Sequence, residues 1–204
     1  MAEYEDILLD EEAVTPKKSQ DAPEKKKSTP LQEFVEIIDA ILVAVVASIL
    51  TLSLVFRTGY VDGPSMTSTL LNGDRYIVSG LFFTPKQGDI VVFQPEMTAN
   101  DYSLWVKRVI ATEGQTIDIR EDGKVYVDGV ELTELYLDSH QVTLTKSRSK
   151  IEFPLTVPQG HVFVMGDNRL DSKDSRDIGC IDTRRILGEV LFRIYPVKDL
   201  GFVN

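Results

Sequence analysis

Residues 37–56 read IIDAILVAVVASILTLSLVF, twenty residues carrying a single charge, Asp39. At about 1.5 Å per residue a helix of this length spans roughly 30 Å, the thickness of a bilayer core. A helix that is apolar on every face could also be buried in a soluble protein, but it would need a large surrounding domain, and no stretch after Phe56 carries a clean helical stripe. The hydropathy therefore favours a transmembrane helix. Asp39 sits near the start of the run, where it can reach the headgroups and meet the positive end of the helix dipole. Before the run, residues 1–36 hold ten acids against five lysines (Lys17, Lys18, Lys25, Lys26 and Lys27) with Pro16, Pro23 and Pro30 among them, and are expected to form a disordered tail. A leader this long, followed by an apolar run beyond the usual length of about 7 to 15 residues, argues for an uncleaved anchor over a cleaved signal peptide. The lysines lie before the span and only Arg57 closely follows it. The positive-inside rule then puts residues 1–36 in the cytoplasm and the rest outside, a single-pass type II arrangement at the cell membrane.

Residues 57–204 are expected to be one extracytoplasmic domain. The whole chain has 32 acids against 22 Lys plus Arg, a net charge of −10, which argues against holding nucleic acid by phosphate neutralisation. Apolar residues recur mostly with period two, and the runs 76–78, 90–93, 104–111, 117–119, 125–127, 161–165 and 190–195 read as short strands. Asp122-Gly123 and Asp128-Gly129 read as hairpin turns. The expected fold is mainly β, an antiparallel β-sheet catalytic domain preceded by one N-terminal transmembrane α-helix, with the polar segment 133–150 as an excursion from it. The single cysteine, Cys180, can form neither an internal disulfide nor a cysteine metal cage.

A Ser-His-Asp arrangement is poorly supplied. His161 falls inside the apolar run HVFVM, and His140 lies in the polar excursion. Spacing suggests no histidine–carboxylate metal site either. Three other segments carry chemistry. Ser65, in VDGPSMTSTL, lies nine positions beyond the end of the span, with Gly63-Pro64 bending the chain just before it. In LWVKRVIAT, Lys107 and Arg108 alternate along a strand, so one must face inward. Desolvation of an inward lysine can lower its pKa by up to roughly 3 to 5 units, which makes it a base; otherwise its stem lies along the sheet and its head reaches water. The third segment, MGDNRLDSKDSRDIG from Met165 to Gly179, is dense in charge and hydroxyls beyond what a solvated loop needs.

Together these segments resemble the bacterial type I signal peptidases, membrane-anchored serine proteases that remove signal peptides from exported proteins. The resemblance runs from about Gln32 to the C-terminus, through SM-x-x-TL at Ser65 to Leu70, GD at Gly73-Asp74, GDIVVF at Gly88 to Phe93, KRVIA at Lys107 to Ala111 and GDNR-x-x-S-x-DSR-x-x-G at Gly166 to Gly179. It implies Ser65 as nucleophile, Lys107 as general base, Ser172 as the hydroxyl that orients the lysine amine, and Asp174 with Arg176 as a supporting ion pair. The Ser65 backbone N–H would be one oxyanion donor. Some members carry a hydroxyl two positions before the nucleophile; here Gly63 stands there, leaving its backbone or a water as the second donor.

The resemblance further implies signal-peptide-bearing preproteins and the lipid bilayer as partners, with no cofactor, metal or nucleic acid. Substrates with small residues at the first and third positions before the cut would lie extended in shallow apolar subsites, for which Ile77, Val78 and Val106 are candidate walls. Met66 is expected against substrate, membrane or core. Two departures stand out: Ser68 replaces the proline of SM-x-P-T, and Glu113-Gly114-Gln115 replaces a PGD turn, both expected to loosen their turns. Two rivals remain. A repressor-type Ser-Lys autoprotease would carry a DNA-binding domain in place of the span. A silent relative that scaffolds surface-protein assembly fits Ser68 and the altered turn, but not the intact Ser65, Lys107 and Ser172.

Overall fold

A computed structural model describes residues 29–81, 83–96, 103–138, 141–145 and 151–203. The lysine-bearing tail over residues 1–28 and His140 lie outside the described residues. Helix α1 (Pro30–Val55) begins seven residues before the apolar run and ends one residue short of Phe56. Its start is set by a reciprocal cap: Gln32 N donates to Thr29 Oγ1 at 3.4 Å and Thr29 N donates to Gln32 Oε1 at 3.0 Å. Pro30 takes the first helical position, where no N–H is needed. This local signal extends the helix through residues 30–36, which the charge density alone had assigned to the tail. Within Pro30–Ser53 the most apolar 18-residue window has a mean hydropathy of 2.4 and no buried residue. The chain divides into two compact units at residues 45–46, within α1.

The second unit is antiparallel throughout. Strands β1 (Phe56–Tyr60), β2 (Arg75–Ser79), β3 (Ile90–Phe93) and β4 (Trp105–Thr112) come first, then β5 (Thr116–Ile119), β6 (Val125–Val127), β7 (Val130–Glu131) and β8 (Leu155–Thr156). They are followed by β9 (His161–Met165), the one-turn helix α2 (Ser175–Ile178), β10 (Ile181–Asp182), β11 (Ile186–Tyr195) and β12 (Gly201–Phe202). The larger sheet runs β1-β2-β11-β3-β4-β9-β10 with β12 on β11; the smaller runs β7-β6-β5-β8. The seven runs expected from periodicity are all strands, within a residue or two except β11, which starts four residues earlier. The strands β1, β7, β8, β10 and β12 are too short or too polar to carry a readable period.

Asp128 and Gly129, at φ +52° and +80°, form the two-residue link between β6 and β7, where both central residues must be left-handed. The Glu113-Gly114-Gln115 turn is not loosened. Gln115 Oε1 accepts from Thr112 N at 2.9 Å and from Thr112 Oγ1 at 3.0 Å, and Glu113 Oε2 accepts from Gly160 N at 2.7 Å. Nor are the described residues of the polar excursion free of the domain: Arg169, 1% exposed, pairs with Glu134, bonds Thr143, and donates its backbone N to Gln141 Oε1 at 2.7 Å.

Candidate active site

The turn between β1 and β2 carries Ser65. Gly63 enters it at φ +104°, a backbone that disfavours any residue with a Cβ. Leu70 N donates to Met66 O at 2.8 Å, and Asp74 closes the far end by accepting from Leu71 N at 2.9 Å and from Arg193 Nη1 at 3.0 Å. Met66 and Leu70 are fully buried in a core with Val61, Tyr76, Val106 and Val190, so the turn hangs from apolar anchors rather than floating as a loop. This places Met66 in the core, where it also lines the cleft that holds Ser65 and Lys107. Ser68 sits at φ +98°, where its hydroxyl donates to Tyr136 O at 2.9 Å. A proline, locked near −65°, cannot take this conformation.

β4 delivers Lys107, opposite Val91 of β3. The amine lies 2.8 Å from Ser65 Oγ and donates to Val106 O at 2.9 Å. Lys107 is 4% exposed, and its burial pushes the amine down to about 8, against the upward pull of the Asp174 and Asp167 carboxylates. Alternation along the strand required only one of Lys107 and Arg108 to face inward, yet Arg108 is buried as well. It is 2% exposed, paired with Asp167 at 2.8 Å, with its guanidinium 3.9 Å from the centre of the Tyr136 ring. Neither residue is left to solvent because each meets its own packed partners.

The segment after β9 completes the surroundings. Asp174 caps α2 and pairs with Arg176 at 2.7 Å, both side chains at most 1% exposed. Burial alone would raise the Asp174 carboxyl; Arg176, the Gly166 N–H and the Ser172 hydroxyl hold it below its ordinary value. Ser172 is 4% exposed and stands directly over Gly166, where an added Cβ would fall 2.2 Å from Ser172 Oγ and 2.4 Å from Ser65 O. Only glycine lets these segments of the chain approach so closely. Asn168 ties the same contact, its N donating to Ser65 O at 3.0 Å and its Nδ2 to Pro64 O at 3.1 Å.

Ser65 and Lys107 open on a cleft of about 560 Å³. Of the expected wall residues, Val106 lines it; Ile77 and Val78 do not, and β2 contributes Tyr76 instead. The ring of Tyr76 covers Gly59 on β1, where a Cβ would fall 2.6 Å from it, and burial raises its phenol to about 12. Trp105 and Lys173 also line the cleft. Sequence reasoning passed over both, although each flanks a residue it had singled out. No histidine lies among the described lining residues; His161 Nδ1 sits 2.8 Å from Gln159 O.

The oxyanion candidates separate. Gly63 N already donates to Asn72 Oδ1 at 2.9 Å, so the expected Gly63 donor is committed to holding the turn. Ser65 N is not engaged by any described residue.

The sequence pattern of the family described as "Signal peptidase, peptidase S26" matches residues 34–195. A probable signal peptidase I-1 of Synechocystis is 38% identical over 182 residues, covering 85% of this chain and 88% of its own. Signal peptidase I of Bacillus licheniformis is 34% identical over 187 residues, covering 87% and 97%. A crystal structure of a signal peptidase I from Enterococcus faecalis V583 covers 53% of this chain and 97% of its own at 29% identity and a TM-score of 0.43. With its family pattern spanning most of the sequence and relatives of this similarity along nearly their whole length, the chain belongs to the signal peptidase family, peptidase S26.

Proposed function

We infer that this protein is a membrane-bound serine endopeptidase that removes N-terminal signal peptides from exported preproteins through a Ser65–Lys107 dyad. The observation that carries the assignment is the 2.8 Å contact between Lys107 Nζ and Ser65 Oγ at a buried amine whose pKa is about 8. A neutral lysine within hydrogen-bond reach of a hydroxyl is an activated-nucleophile pair that needs no histidine.

Neutral Lys107 accepts the Ser65 proton as Oγ bonds to the scissile carbonyl carbon. The oxyanion forms beside the free Ser65 N–H, which stabilises it. Lys107 then returns the proton to the leaving amine as the C–N bond breaks, leaving an acyl ester on Ser65. A water, deprotonated by the same amine, attacks the ester and regenerates Ser65. Ser172 and the Asp174–Arg176 pair act as positioning groups: Gly166 brings Ser172 against the Ser65 segment, and Arg176 keeps Asp174 ionised near the amine. The position of β1 at the edge of the larger sheet among the described residues, and the apolar cleft, suit an extended substrate chain with small side chains.

The exposed apolar helix α1 supports anchoring in the bilayer, with residues 37–56 as the span, residues 1–36 in the cytoplasm and residues 57–204 as the extracytoplasmic peptidase domain. Only nine positions separate Ser65 from the end of that span, which suits a cleavage point that emerges close to the lipid surface. In detergent, the wild type should cleave a preprotein with an A-x-A site, while Ser65→Ala and Lys107→Ala each abolish cleavage and still fold. An uncut preprotein panel, or full activity in Lys107→Ala, overturns the assignment.

A further inference from the structure

Three charged side chains line the cleft: Asp62, Lys107 and Lys173. Lys107 is directed at Ser65 and titrates near 8, so it offers no standing charge in alkaline conditions. Lys173 differs. It is exposed, forms no ion pair among the described residues, and holds its ammonium 5.8 Å from the centre of the Trp105 ring. The same ring lies 5.5 Å from Lys107 Nζ, so the indole stands beside both the base and this second cation.

The placement of Lys173 is not loose. Its neighbours Ser172 and Asp174 are both buried, Asp174 as the cap and ion-pair partner of Arg176. With the backbone pinned on either side, residue 173 lines the cleft with its ammonium over the indole of Trp105. A cation here, without an ion pair among the described residues, attracts carboxylates and repels ammonium and guanidinium groups on any chain threaded past it.

Resting on the endopeptidase function inferred above, we propose that Lys173 is a specificity-determining residue, one that favours preproteins with an acidic side chain flanking the scissile bond and disfavours those with a basic one. The bound side chain stays partly hydrated, so its preference is modest and screened by salt.

The test is an internal ratio. Purified full-length protein in detergent is given preproteins identical except for Glu, Gln or Lys at the second position before the cut or at the first or second after it, and kcat/KM is measured for each. In the wild type, Glu should outrun Lys by about fivefold at one of these positions, shrinking at high ionic strength. Lys173→Glu should invert that ratio and Lys173→Met should bring it close to one. Thermal unfolding checks that both variants fold; should Lys173→Glu fail to, Lys173→Met alone decides. A wild-type Glu-to-Lys ratio of one at all three positions, or a ratio unchanged in a folded variant, overturns the role of Lys173 while leaving the peptidase assignment intact. Failure of the wild type to cut even the Gln substrates overturns both.

Discussion

If Lys107 is the base, the pH profile of cleavage must carry its pKa, and the structure sets where. Burial lowers the amine from 10.5 to about 8. At pH 7 about a tenth of the enzyme then holds a neutral lysine, against about 0.03% for an unperturbed amine, a gain of roughly 300-fold in active fraction. Cleavage of a preprotein with no titratable group near its cut should rise about tenfold in kcat/KM between pH 7 and pH 9, reach half its maximum near pH 8 and flatten above pH 9. A profile that is flat from pH 6 to 8, or one that still climbs tenfold per unit through pH 10, would refute a buried lysine base. The same shift has a stability cost of known sign. Because the folded pKa lies below the unfolded one, the folded state binds fewer protons between pH 8 and 10.5 and gains stability as pH rises through that window. Below it, the desolvated ammonium costs about 3 kcal/mol. Lys107→Met, similar in shape and uncharged, should therefore be inactive yet melt higher than the wild type at neutral pH.

Two further outcomes follow from backbone geometry. Gly166→Ala places a methyl 2.2 Å from Ser172 Oγ and 2.4 Å from Ser65 O, so the two segments must part; kcat/KM should fall by about a hundredfold, as for a misplacement of roughly 1 Å, and a variant with wild-type activity would show the close approach to be wrong. Ser68→Pro, which restores the proline found in related motifs, should destabilise the domain by more than about 1 kcal/mol because Ser68 lies at φ +98°, whereas Ser68→Gly should stay within about 1 kcal/mol of the wild type. Unfolding by denaturant reads both, and a Ser68→Pro protein as stable as the wild type would contradict the turn conformation.

What could be read without coordinates was local. Twenty apolar residues declare their helix because each must avoid water, and period-two runs such as IVVF and HVFVM declare strands because alternate side chains share a face. The motifs at Ser65, Lys107 and Gly166 were legible for the same reason: each is a short, contiguous string. The Thr29-Pro30-Leu31-Gln32 cap was equally local and equally readable, but was hidden by the charges around it. The rest depended on which distant segments pack together. Ser65 and Lys107 are 42 positions apart, and their 2.8 Å contact exists only because the β1–β2 turn is anchored by Met66 and Leu70 beside β4. The burial of both Lys107 and Arg108, the engagement of Gly63 N by Asn72, and the two-residue strands β7, β8, β10 and β12 that pair only because a neighbour offers its edge all follow from long-range contacts. A residue's pattern tells which surface it prefers to hide. Only the assembled fold decides what it is hidden against, and at this site that choice sets the charge of the lysine.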